Sequence, residues 1–419
     1  MNLKAKESWG ALLVLLLLIA VTVFFWSGVI EQIVAAEKQA ALSDADTEFS
    51  DDESDAAASS SGTFSFRMLS DLAGGAEAAM NKILDRDHLF IQLYGGVQRL
   101  CGRQIMEDVD PRYDVIRTSD GSLTFVEESG RNMTDRASSL LGLSKSLSEM
   151  SVPLLYIQAP EKLAPGGNQL PAGVGDYGNA GADQLLSLLK GTEVDTLDLR
   201  RTLLDSGEDW SSLFYKTDHH WNTEGAFLAW QAIADRLRER YCDAIPEKYT
   251  DRDAYDKTIY PNWFLGSQGK RVGSLYGGTD DVALWKPEFI TDFSYSAPVY
   301  DILREGPFET SLLFPERLES RDLYNSNPYT LYSGGDFPSG IITNRLNPGG
   351  PTVILLRDSY ACGVTPFLAL GCGTLITFDL RYWQEDDHLS DYIKWLNPDL
   401  VAVLYTPGCL QNDLCFRFD

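Results

Sequence analysis

Histidine is scarce in this 419-residue chain. There are four, and two of them, His219 and His220, stand side by side in FYKTDHHWNTEG, residues 214–225. With only His88 and His388 elsewhere, a centre built from several histidines is excluded, and a zinc site would have to draw on carboxylates. Basic residues are also few, 35 Lys and Arg against 61 Asp and Glu, for a formal charge of −26. A chain without a cationic surplus cannot neutralise phosphates, so no nucleic-acid partner is expected, and anionic lipid head groups repel it. The six cysteines (Cys101, Cys242, Cys362, Cys372, Cys409, Cys415) contain no CxxC pair, which argues against a zinc knuckle. Their even number is compatible with three bridges in an oxidising compartment, but the spacing selects no pairing. No internal repeat is present.

Charge is absent altogether from WGALLVLLLLIAVTVFFWSGVI, residues 9–30. A run of roughly 20 apolar residues matches the hydrocarbon layer of a bilayer. A cleaved signal peptide has a shorter apolar region and a small-residue exit, which SGVIEQIV does not provide. Trp9 and Trp26 lie near the two ends, where indoles favour the interface, and Lys4 and Lys6 precede the run while acids follow it. The expectation is a cytoplasmic N-terminus over 1–8, a transmembrane anchor over 9–30, and the bulk of the chain outside the cell membrane. Residues 31–62 hold Ala, Ser and acids with almost no large apolar side chains. Such a segment cannot bury enough surface to offset the entropy of ordering and is predicted to be a disordered acidic linker.

From residue 63 to 419 the composition turns globular, with nine Trp and nineteen Tyr in the whole chain. PLLYIQ (153–158), EVDTLDL (193–199), TVILLR (352–357), GTLITFDL (373–380) and DLVAVLY (399–405) read as buried strands. ADQLLSLLKG (182–191) and TEGAFLAWQAIADRLRERY (223–241) have helical spacing, the second with Asn222 or Thr223 as N-cap. PFLAL and HLSDYIKWL continue the alternation. Strands alternating with helices predict an α/β layer fold with a mainly parallel sheet flanked by helices. Residues 243–350 show little periodicity and are read as a long irregular insertion covering one edge of the site.

The chemistry gathers at two places. TVILLR runs into DSYACG, so Ser359 lies at the tip of a strand, where open α/β sheets carry their active sites and where turn N–H groups, including its own, face a developing oxyanion. A serine there also commonly caps a helix. A hydroxyl needs a base before it becomes a nucleophile, and Asp218-x-His220 supplies an imidazole with a carboxylate to orient it. In an extended loop residues two apart face the same side. Adjacent histidines face apart, so at most one of them joins Asp218 on an ion; no metal or other cofactor is called for.

FYKTDHHWNTEGAFLAW (214–230) resembles the signature of the DHHW protein family and is similar to the TD-x-HW…GA segment of alginate O-acetyltransferase-type proteins with SGNH-hydrolase-like domains. PLLYIQAPEKL (153–163), FLGSQGKRVGSLYGGTDD (264–281) and ILLRDSYACGVTPFLA with FDLRYW also resemble family segments. The resemblance implies an SGNH-hydrolase-like domain with Ser359 as nucleophile, His220 as base and Asp218 as its partner, His219 being a variable position. It further implies Arg381 as a substrate contact, and Trp221, beside the base, is a candidate to stack on a sugar ring. Two departures stand out: Arg357 occupies the glycine of the usual Gly-Asp-Ser block, and the block asparagine that donates to the oxyanion is not found. The implied activity is acetyl transfer through an acetyl-serine to hydroxyls of an exported polysaccharide, beside a membrane-bound O-acyltransferase partner. The same triad with water as acceptor would make an esterase or deacetylase, and the two departures leave room for a catalytically silent glycan-binding scaffold.

Overall fold

The Val, Ile and Leu runs form the middle of an eight-stranded sheet. The structure is a computed structural model that describes residues 88–125, 127, 131–241, 245–383 and 388–418. The apolar run 9–30, residues 1–8 and the acidic stretch 31–62 lie outside the described residues. Among those described, no helix is long and apolar enough to cross a membrane.

The strands are β1 (Ile105–Met106), β2 (Val115–Arg117), β3 (Leu123–Phe125), β4 (Leu154–Gln158), β5 (Asp195–Asp198), β6 (Tyr255–Phe264), β7 (Asp280–Pro287), β8 (Phe293–Ala297), β9 (Ile302–Gly306), β10 (Ser339–Asn344), β11 (Thr352–Arg357), β12 (Thr374–Phe378) and β13 (Leu400–Tyr405). The main sheet has the order β5-β4-β13-β11-β12-β10-β8-β9. Its first five strands are parallel. The last three, β10, β8 and β9, join antiparallel. The sheet is therefore mixed rather than mainly parallel. The correction has a physical cause: residues 243–350 are not merely an irregular cover but supply those three strands and the separate β6–β7 hairpin. β8 and β10 alternate between buried and less buried positions. A half-covered antiparallel strand has no continuous apolar run to announce it.

The inner parallel strands β4, β11, β12 and β13 read as apolar runs because both faces are covered. Alternate residues of β11 and β13 face opposite ways. Val353, Leu355, Leu400, Ala402 and Leu404 join one core, against the helices Thr223–Arg240 and Ala361–Leu370. Ile354, Leu356, Val401, Val403 and Tyr405 join the other, against Thr134–Ser148, Tyr177–Leu189 and Leu389–Leu396. From β4 the chain steps to β5 on one side, and from β11 it steps to β12 on the other. The reversal leaves a crevice above the carboxyl ends of the central strands. A small sheet, β1-β2-β3, has no counterpart in the sequence reading, since strands of two or three residues carry no periodicity. Cys409 and Cys415 form a disulfide, whereas Cys101 and Cys362 are free thiols, so three bridges do not form.

Phe367 packs the Ala361–Leu370 helix against the Thr223–Arg240 helix and the elements of residues 255–332. Its ring lies 5.3–5.8 Å, centroid to centroid, from Phe227, Tyr255, Phe308 and Tyr332. Phe367→Ala should lower stability by about 3–5 kcal/mol, seen as a fall in the urea midpoint with an unchanged slope.

Candidate active site

The segment 214–221 closes on itself before the Thr223–Arg240 helix begins. Phe214 and Trp221 form an antiparallel bridge, Tyr215 N–H donates to the His220 carbonyl at 3.2 Å, and Asn222 N–H donates to the Leu213 carbonyl at 2.9 Å. Asn222 caps the helix through its side chain, which accepts from Gly225 N–H. Residues 216–220 between these anchors are bends rather than extended chain. Asp218 and His220 meet all the same, because the carboxylate folds back on its own loop. Asp218 Oδ1 accepts from the His220 N–H at 3.2 Å and lies 2.5 Å from His220 Nδ1. Short Asp side chains favour such turns two residues onward.

A loop without regular structure must satisfy its backbone elsewhere, and residues 264–281 do this. Asp280 accepts from the N–H groups of Lys216 (2.6 Å) and Thr217 (2.9 Å) and from the Thr217 hydroxyl. Gly266 N–H donates to Thr217 Oγ1 at 2.8 Å, and Ser267 N–H donates to Asp218 Oδ2 at 2.7 Å. The buried Lys162 ammonium donates to the carbonyls of Leu123 and Lys216. Position 266 has to be glycine: a Cβ there would sit 2.2 Å from the Asp218 Cβ. Burial alone raises a carboxyl's pKa. At Asp218 the two imidazoles, the His220 hydrogen bond and the Ser267 N–H outweigh it and hold the group well below the usual carboxylate range.

Ser359 arrives from the other side of the fold, in the turn after β11. Its Oγ lies 2.8 Å from His220 Nε2. The structure thus brings together Ser359, His220 and Asp218, serine and histidine being 139 positions apart in the chain. Asp358 shapes the turn: its Oδ1 accepts from Tyr360 N–H, and its Oδ2 accepts from the N–H and hydroxyl of Thr406 at the end of β13. No hydrogen bond among the described residues uses the Ser359 N–H, which leaves it free for an oxyanion.

The remaining candidates fall less evenly. Trp221 is fully buried and its Nε1–H donates to the Tyr360 carbonyl at 3.0 Å. It is a core residue holding the Ser359 turn and has no face open to a sugar. Arg381 is one-quarter exposed, pairs with Asp379 at 2.6 Å and reaches Asp336 at 3.4 Å. Arg357, where the family has glycine, is held within the wall beside the Ser359 turn. It is buried, and its guanidinium donates to the Gly335 carbonyl and to Asp336. His219 is half-exposed, with Nδ1 3.1 Å from the Ser267 hydroxyl. Partial burial of its ring and the neighbouring imidazole lower its pKa. Ligand atoms of Asp218, His219 and His220 all fall within 4.8 Å of one another, a spacing a cation can bridge. The nearest pair, however, stands 2.5 Å apart, closer than the about 3.3 Å that separates two ligands on one tetrahedral zinc. Sequence reading missed Gly266, Ser267, Asp280, Tyr329 and Asp336. The first three sit in FLGSQGKRVGSLYGGTDD, whose resemblance to the family was the available signal; Tyr329 and Asp336 had none.

Residues 119–258 match the family of the SGNH hydrolase-like domain of the acetyltransferase AlgX. Among solved structures the chain is similar to Bacillus cereus PatB1, with 21% identity and a TM-score of 0.58 over 75% of this chain and 99% of that one. PatB1 carrying a sulfonyl adduct gives 20% identity and a TM-score of 0.58, over 73% and 98%. A DHHW family protein from Eubacterium siraeum is 18% identical with a TM-score of 0.56, over 75% and 97%. No curated protein sequence matches. The resemblance read from TDHHW is thus shown, and the solved structures share the fold.

Two outcomes follow from the cradle. Gly266→Ala should displace Asp218 and lower turnover of an activated acetyl ester by about 100-fold, measured beside the urea midpoint. Burial pushes Lys162 down to about 8, against about 10.4 for a free lysine. Between those values the unfolded chain binds more protons, so this group makes stability rise with pH. Lys162→Met should remove that rise from urea midpoints taken across about pH 7.5 to 10.5.

Proposed function

We propose that this chain is an SGNH-like O-acetyltransferase that carries acetyl groups to hydroxyls of an exported or cell-surface polysaccharide. The observation that carries the reading is the continuous chain from Asp218 through His220 to Ser359, with contacts of 2.5 and 2.8 Å. It is supported by the domain match to an acetyltransferase and by the fold shared with PatB1.

His220 Nε2 takes the Ser359 proton as Oγ attacks the carbonyl carbon of an acetyl donor. The oxyanion faces the Ser359 N–H, and Asp218 stabilises the imidazolium. Collapse breaks the bond to the leaving oxygen, which receives the proton from His220 and departs, leaving acetyl-Ser359. A sugar hydroxyl then enters, gives its proton to His220 and attacks the acetyl carbon. Expulsion of Ser359 Oγ, reprotonated by His220, completes the transfer. Arg381, held by Asp379, is the residue assigned to grip the substrate. The apolar run 9–30 would anchor the domain outside the cell membrane, with the N-terminus in the cytoplasm, where a membrane-bound O-acyltransferase can hand acetyl across. Water in place of the sugar turns the same steps into ester hydrolysis, a reading favoured by the partial solvent exposure of Ser359.

The experiment offers an activated acetyl ester with and without oligosaccharides. Acetylated sugar and an acetylated Ser359 peptide are expected, and Ser359→Ala should lower both transfer and hydrolysis by at least about 10³-fold. Full activity in Ser359→Ala rejects the reading. Hydrolysis that no oligosaccharide diverts assigns the protein to the esterases.

A further inference from the structure

Tyr329 comes from a short turn, Pro328–Leu331, in the segment whose sequence carries no periodic pattern. Its ring stacks on His220, centroids 3.7 Å apart and planes 14° from parallel. The opposite side of the same imidazole is taken by His219 at 3.8 Å. The hydroxyl of Tyr329 has one proton and two acceptors, the carbonyls of Ser359 and Tyr360, each at 2.9 Å. One rigid side chain therefore touches the plane of the base and the backbone of the nucleophile turn. The tyrosine is itself fixed: it is 5% exposed, Tyr215 meets it edge-on at 6.4 Å, and the Phe314 N–H holds the Leu331 carbonyl at 2.8 Å. Tyr360 adds a second tie, its hydroxyl donating to the His219 carbonyl.

We propose that Tyr329 is a positioning residue that locks the separation and angle between His220 and Ser359. Their separation of 139 positions gives no local restraint, and the Asp218 hydrogen bond fixes the imidazole at one nitrogen only. Rotation about that bond would swing Nε2 away from Oγ; the stack opposes it, and the shared hydroxyl keeps the turn from drifting. The ring face also lies against the imidazolium that forms when His220 takes the proton, a favourable contact for a cation.

The inference rests on Ser359 being the nucleophile, so the test uses a sulfonyl fluoride, which reports the reactivity of a serine hydroxyl whatever the native donor. With the full chain, the rate of sulfonylation at Ser359 is measured together with kcat and KM for an activated acetyl ester. Tyr329→Leu should slow labelling and kcat by at least about tenfold while KM stays put. Tyr329→Phe, which keeps the ring but loses the hydroxyl tie, should be about threefold slower than the wild type and clearly faster than leucine. A leucine variant that reacts at the wild-type rate overturns the proposal, as does a phenylalanine variant no faster than leucine. Should the leucine variant not fold, the phenylalanine variant decides: a roughly threefold loss in kcat at constant KM supports the lock, and a wild-type rate overturns it. Labelling that persists in Ser359→Ala sinks the nucleophile reading, whereas Ser359 labelling that ignores Tyr329 sinks only this one.

Discussion

The Asp218 carboxylate is 4% exposed, and a charge so placed is costly unless hydrogen bonds and an opposite charge surround it. That requirement organises the crevice. His220 Nδ1, the His220 N–H and the Ser267 N–H converge on the carboxylate, and once His220 is held by one nitrogen the other is aimed. Gly266 is bare because nothing larger fits beside Asp218. Asp280 holds Lys216 and Thr217 so that the loop cannot shift its carboxylate into water.

The sheet brings the other half. β11 is central, buried on both faces and flanked by parallel neighbours, so Ser359 at its end is as fixed as any point in the fold. Asp358 ties the turn to the end of β13 through Thr406, and Trp221 ties it to the DHHW loop through the Tyr360 carbonyl. Beside the turn, Arg357 fills its own side of the crevice wall. Its guanidinium pins Gly335 and Asp336, with Gly335 in a conformation, φ +140°, that glycine tolerates. Arginine in place of the family's glycine thus alters the wall rather than the Ser359 turn.

Much of this was legible along the chain. TVILLR and DLVAVLY announced central strands because burial on both faces leaves no polar alternation. The Thr223–Arg240 helix announced itself by its spacing and by Asn222. Asp218 and His220 were legible because their pairing is local, two residues apart, although the loop that pairs them bends where an extended one was expected. Illegible were β8, β9 and β10, whose half-covered faces mix polar and apolar residues, and the role of Trp221, where a ring next to His220 in sequence turns inward in space.

The sequence alone therefore determined what depends on neighbours within a few residues: the strand and helix runs, the D-x-H element and the serine at a strand tip. Tertiary structure decided what depends on distance: that Ser359 closes on His220, that Tyr329 and Asp336 from the unpatterned segment line the same crevice, and that the sheet turns antiparallel at one end. Short-range hydrogen bonds and hydrophobic periodicity leave a mark on consecutive residues, whereas a contact between residues 139 apart is set by how whole layers pack.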